Sequence, residues 1–112
     1  MPTLPGRRAE ARAAWWYRVR GYRVLERNVW VRGYELDLVV RRGRRLVFCE
    51  VKEKTAAGFG EPEEMVDAEK QRRIAHAAAG WLAAHPEARA LTVSFDVIAV
   101  QSGRLKRVAE AF

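Results

Sequence analysis

Residues 34–53 read YELDLVVRRGRRLVFCEVKE. Two apolar-rich runs flank Arg42-Gly43, a pattern that predicts a β-hairpin with a tight turn. Successive strand side chains point to opposite faces. Glu35, Asp37 and Val39 are therefore expected on one face, and Leu36, Leu38 and Val40 on the other. In the second run Leu46, Phe48, Glu50 and Lys52 share a face, while Val47, Cys49 and Val51 share its opposite. A turn at Arg42-Gly43 sets Asp37 across from Cys49 or Glu50. With Glu50 as the neighbour, two carboxylates and an ammonium converge on one face of a half-buried sheet.

Two carboxylates at close range repel, and one must take up a proton unless a cation relieves them. Lys52 alone would leave an acid–base pair that pins the hairpin. A divalent ion would leave something different: hard oxygen ligands on adjacent strand positions suit Mg2+ or Mn2+. Such an ion polarises a phosphoryl oxygen, acidifies a water and steadies a leaving oxygen. Lys52 would then orient the attacking water or neutralise the pentavalent phosphate. Pattern alone leaves both readings open.

Working outward, the run from Arg7 to about Arg20 has neither Pro nor Gly and predicts a helix, with Ala9, Ala13, Trp16 and Tyr17 on one face and Gly21 ending it. Tyr22 to Trp30 predicts a first strand. Residues 55–66 predict a surface loop, in which Glu61, Glu63 and Glu64 are solvated acids. Asp67 is the expected N-cap of a helix running to about Ala84, its buried face formed by Ala68, Gln71, Ile74, Ala75, Ala78 and Leu82. Residues 91–100 predict a fourth strand, and Arg104–Val108 a short edge strand. The order α-β-β-β-α-β predicts an α/β fold: a mixed sheet of four to five strands flanked by helices in three layers, as one domain over residues 1–112.

The net charge of +7 is unevenly spread. Residues 1–34 carry eight Arg against Glu10 and Glu26, whereas residues 55–69 carry five acids and no base. Arg7, Arg8 and Arg12 would form a face that attracts a polyanion such as a nucleic acid, with affinity falling steeply with salt. A merely solvated basic surface is the alternative. No apolar run approaches the roughly 20 residues that span a bilayer, so no membrane role is expected. MPTLPGRRAE has no apolar stretch of a secretory leader, and Cys49 is the sole cysteine; a cytoplasmic location is the expectation. Cys49 should be a core side chain. His76 and His85 lack companions at ligand spacing, so zinc is not expected. Glu35 shares Asp37's face and could serve as an accessory, outer metal ligand, although a pair with a neighbouring arginine is the favoured expectation. Trp16 and Trp81 fit core stripes; Trp15 and Trp30 are candidates for stacking on unpaired bases.

The arrangement Asp37, Glu50 and Lys52, on two strands joined by a turn, resembles the core of the PD-(D/E)XK nuclease signature, the restriction-endonuclease-like fold. The block GYELDLVV…LVFCEVK resembles that of the YraN-type bacterial proteins, as do Gly6-Arg7-Arg8-Ala9-Glu10, Phe59-Gly60, Lys70-Gln71, Phe95-Asp96-Val97 and Ala111-Phe112. It is also similar to archaeal Holliday junction resolvases. The resemblance implies a magnesium-dependent endonuclease acting on DNA, branched or structured DNA included. It further implies that Glu10 points from the first helix towards the metal, that Asp37, Glu50 and the Val51 carbonyl ligate it, that Lys52 is the catalytic lysine and that Gln71 is an accessory polar residue. Ala9 stands where the pattern has Gly, and Leu36 where the nuclease motif has Pro. Symmetrical cutting of two strands would need a homodimer, the state of the resolvases. A catalytically silent nucleic-acid-binding module and an interaction subunit of a DNA-processing complex are the alternatives.

Overall fold

The computed structural model describes residues 5–54 and 66–112. Helix α1 (Pro5–Arg18) precedes strands β1 (Arg23–Val31), β2 (Tyr34–Arg42) and β3 (Arg45–Lys54). Helix α2 (Ala68–Ala84), a 3-10 turn (Pro86–Ala88) and strands β4 (Thr92–Gln101) and β5 (Arg104–Val108) follow. The five strands lie in chain order in one sheet. β3 and β4 are parallel and every other pair is antiparallel. Parallel neighbours need a crossover, and α2 lies within the one that joins β3 to β4. No helix among the described residues is long and apolar enough to cross a membrane. The expected acidic loop of Glu61, Glu63 and Glu64, with Phe59-Gly60, lies outside the described residues.

Each helix covers one face, which gives the three-layer α/β sandwich that the sequence predicts. Under α1, Ala9, Ala13, Ala14 and Tyr17 pack on Leu38, Val40, Val47, Cys49, Val51 and Ile98. Three alanines let the helix axis approach the sheet closely. Under α2, Ile74, Ala77, Ala78 and Trp81 pack on Leu36, Val39, Leu46, Phe48 and Val97. The buried stripe of α2 therefore runs through Ala77 and Trp81. Ala68 and Ala75, expected in it, are exposed, because the stripe centres on Ile74, Ala77, Ala78 and Trp81, which fill the space over Phe48 and Val97.

Local chemistry fixes the helix ends. After α1, Gly21 adopts φ 88°, and its N–H reaches Arg18 O while the Tyr22 N–H reaches Tyr17 O, both at 3.0 Å. That bond pair is the Schellman motif, and its usual apolar contact is here the Tyr17–Tyr22 ring pair, 5.0 Å between centroids. Asp67 caps α2 by accepting from the Lys70 N–H at 2.8 Å.

One charged side chain is sealed in the α1 layer. Asp96 on β4 has no exposed surface. It accepts from Tyr17 Oη at 2.5 Å, from Arg107 Nε at 2.9 Å and from the Glu110 N–H at 3.1 Å. This network ties α1, β4 and β5 to the C-terminal turn. Removing one partner of a buried pair strands the other. Asp96→Ala is therefore expected to cost about 3–5 kcal/mol, read as a lower urea midpoint; an unchanged midpoint would contradict the bracing role.

Candidate metal centre at the strand fork

The β2–β3 ladder runs from Arg42 opposite Arg45 to Leu38 opposite Cys49. Asp37 and Glu50 come next, and there the ladder stops. The Val51 N–H, which a paired strand would give to a carbonyl, donates instead to Asp37 Oδ2 at 2.8 Å. The two strands part at this bond.

The fork also switches faces. Strict alternation predicts Leu36 with Leu38 and Val40. Instead Leu36 joins Val39 in the α2 cluster, while Leu38 and Val40 lie in the α1 cluster. A strand freed from one neighbour can rotate, and the side-chain bond from Asp37 to the Val51 backbone holds it rotated. As a result Glu35 and Asp37 reach towards α1, while Tyr34 and Leu36 reach towards α2.

On the α1 side, carboxylate oxygens of Glu10, Glu35 and Asp37 all lie within 4.8 Å of one another. The helix thus delivers Glu10 to the strand acids. The arginine expected beside Glu35 is replaced by these two carboxylates. Glu10 is 7% exposed, and its Oε1 is buried with no hydrogen-bond partner. The Arg7 guanidinium stands 3.6 Å from that oxygen, just beyond hydrogen-bonding range. Arg7 is thereby drawn towards the acids as well as to solvent.

On the α2 side, Glu50 accepts from the Tyr34 hydroxyl at 3.1 Å and meets Lys70 Nζ at 3.8 Å. Burial and the adjacent Lys52 ammonium lower the Lys70 pKa, against the pull of Glu50. Lys52 and Lys70 thus stand side by side over Glu50. Burial and the Glu50 carboxylate together raise the Tyr34 hydroxyl pKa. Gln71, expected as an accessory residue, turns away and donates to Val66 O at 3.0 Å, closing the entry to α2. Tyr34 and Lys70 are the residues that reading the strand pattern misses. Lys70 carried a signal: a cation in the first turn of a helix opposes the macrodipole, and a residue placed against that preference needs a nearby acid.

Asp37 sits between both groups. Burial pushes its carboxyl up to about 8 from 3.8, and Glu50 and Glu10 add to the rise against the Val51 N–H. The donor set is all oxygen, one of its buried oxygens has no hydrogen bond, and its charges repel. These residues fit a hard divalent cation such as Mg2+ or Mn2+. Glu10, Glu35 and Asp37 form the tightest group, with Glu50 beyond Asp37.

Two clefts lie beside the helices. A cationic one of about 290 Å³ is lined by Arg8, Arg12, Glu53 and Lys54 with the Ser102-Gly103 turn. One of about 240 Å³ at the start of α2 has mixed charge, with Lys70 and Arg73 beside Asp67, Glu69 and Tyr34. Cys49 is buried in the core. His85 caps α2 and stacks on Trp81, with ring centroids 3.8 Å apart.

An α/β sandwich with acids from a helix and a strand gathered beside a lysine-bearing neighbour strand defines the class. The chain belongs to the uncharacterised protein family UPF0102, whose model matches residues 9–100 and so includes Glu10, Asp37, Glu50 and Lys52. It is 45% identical over 98 residues to a UPF0102 protein of Anaeromyxobacter dehalogenans, covering 88% of this chain and 72% of the relative. With a UPF0102 protein of Dechloromonas aromatica it shares 38% identity over 110 residues, 98% of this chain and 89% of the relative. A third, from Geobacter metallireducens, is 38% identical over 104 residues, 92% of this chain and 84% of the relative.

A carboxyl whose folded pKa lies above its unfolded value of about 3.9 stabilises the fold fully below that value. The contribution is lost as pH rises through the folded pKa. Metal-free protein is thus expected to melt progressively lower, relative to Asp37→Asn, between about pH 4 and pH 8. At about pH 8 a hundredfold excess of Mn2+ over Kd should restore about 2.7 kcal/mol to the unaltered chain and little to Asp37→Asn. Parallel melting curves for the two proteins, with and without Mn2+, would contradict the site.

Proposed function

We propose that this protein is a metal-dependent phosphodiesterase that cuts DNA, with branched or otherwise structured DNA as its substrate. The observation that carries this reading is the set of carboxylates of Glu10, Glu35 and Asp37 within 4.8 Å of one another, with Glu10 Oε1 buried and without a hydrogen bond. The resemblance of Asp37, Glu50 and Lys52 to the PD-(D/E)XK signature supports it, as does a net charge of +7.

Glu10, Asp37 and Glu50 would hold Mg2+ or Mn2+, with Glu35 and the Val51 carbonyl as further oxygen donors. When bound, the ion would supply Lewis acidity to a phosphoryl oxygen and lower the pKa of water. Lys52 places a positive charge over the same face as Glu50, suited to neutralising the extra charge that gathers on a phosphate under attack. Tyr34 and Lys70 fix the orientation of Glu50 by a hydrogen bond and an ion pair. Arg8 and Arg12 line a cleft with Glu53, Lys54 and the Ser102-Gly103 turn and would hold the nucleic-acid backbone away from the cut, since guanidinium groups match phosphate geometry.

Glu50 is already engaged by Tyr34 and Lys70, which favours a second reading: a module that keeps the fold and grips DNA without cutting it. The two part on one assay. With Mg2+ or Mn2+, cleavage of a branched DNA is expected from the unaltered chain. Asp37→Ala should abolish it while leaving the circular dichroism spectrum unchanged. Full activity in rigorously pure Asp37→Ala would defeat the nuclease reading. Salt-sensitive binding that persists in EDTA, with no cleavage under any metal, would support the binding module.

A further inference from the structure

Trp30 is 68% exposed on β1, the strand at one edge of the sheet. A single exposed apolar side chain is ordinary; its position is what carries weight. In the β1–β2 register Trp30 lies directly opposite Glu35. Facing residues of an antiparallel pair share a face, with Cβ atoms about 5 Å apart. Glu35 belongs to the group of acids within 4.8 Å of one another. The indole therefore stands at the rim of the acidic cluster, one residue beyond the acids, with solvent on its outer side.

Its strand neighbour adds a polar group. Asn28 lies between Arg27, opposite Leu38, and Val29, opposite Leu36, which sets it across from Asp37. It holds a left-handed backbone at φ 55°, and its Nδ2 is buried without a hydrogen-bond partner. β1 thus sets a flat aromatic side chain at the edge of the acids, with Asn28 across from Asp37 along the ladder. A paired base in a duplex has both faces covered by its neighbours, so it offers neither face to an indole. An unpaired base offers one.

We infer that the site takes an unpaired nucleotide whose base stacks on Trp30, so that the substrate is DNA with a single-stranded segment at the point of cleavage. This rests on the nuclease reading and specifies its substrate. Trp15 provides an internal control. It is 63% exposed, yet it follows Glu10 by five residues and so points about 140° away from it around α1.

The test is fluorescence anisotropy of a labelled oligodeoxythymidylate, and of a paired duplex of equal length, at low salt in EDTA, where nothing is cut. Trp30→Ala should bind the single strand about 5-fold to 100-fold more weakly than the unaltered chain, the loss of one base–aromatic stack. Duplex binding should not change. Trp30→Phe should retain most of the single-strand affinity, and Trp15→Ala all of it. Thermal melting of each variant separates lost stacking from lost fold. Equal single-strand affinity for Trp30→Ala and the unaltered chain would overturn the inference and leave the nuclease reading standing. So would a loss shared equally by both DNA forms. Binding of neither DNA by the unaltered chain, together with no cleavage of a branched DNA when Mg2+ or Mn2+ is supplied, would remove the nuclease reading, and this inference with it.

Discussion

The bond from the Val51 N–H to Asp37 Oδ2, at 2.8 Å, is the constraint on which the site depends. A buried backbone N–H must find an acceptor. As long as β2 supplies one through its own carbonyls, the two strands stay paired and Asp37 stays flat on the sheet. By using its side chain as the acceptor, Asp37 lets the backbones part without stranding a donor. The gap at the parting is what admits Glu10 from one side and Tyr34 and Lys70 from the other.

The arrangement concentrates unfavourable charge. The Asp37 carboxyl is raised by burial and by acids on both sides, and Lys70 is lowered by burial and by Lys52. Neither cluster relaxes into the other, because Lys52 and Lys70 lie over Glu50 on the α2 side while Glu10 and Glu35 are on the α1 side. Such opposed frustration is costly for a merely structural feature, since well-packed apolar residues would stabilise the hairpin at least as well. Groups with strongly perturbed protonation gathered at one cleft are a recurrent mark of functional sites. The Asp96 network offers a contrast within the same protein: a fully buried carboxylate with three donors, no like-charged partner, and a bracing role.

Much of this was legible in the sequence. The hairpin and the apolar alternation around it place β2 against β3 to within one residue, with the turn at Gly43-Arg44 and Arg42 paired to Arg45. The three charged groups do not share one face as expected: Asp37 reaches towards α1 with Glu10 and Glu35, while Glu50 meets Tyr34 and Lys70 on the α2 side. The helix boundaries follow from Gly21 and Asp67. The face switch at Asp37 was not legible, because alternation assumes a strand paired along its length, and the break arises from a side-chain bond across the hairpin. Of the two readings of Glu35, the arginine pair gives way to the acids, because its neighbours Glu10 and Asp37 are brought by that switch and by α1. Tyr34, Lys70 and Gln71 depend on how α2 crosses the sheet, which periodicity does not specify. Gln71 and Lys70, adjacent in sequence, point to opposite duties, one closing a helix entry and the other meeting Glu50. Trp30 could be singled out as aromatic, but only the β1–β2 register sets it beside the acids.

The central claim is that the fork gathers oxygen donors around one divalent cation. Crystals soaked in MnCl2 and measured at the manganese absorption edge test it most directly. The account predicts an anomalous peak about 2.0–2.6 Å from carboxylate oxygens of Asp37 and at least one of Glu10, Glu35 and Glu50, absent from crystals of Asp37→Ala. Manganese bound only at other acids, with the fork empty at saturating concentration, would contradict it.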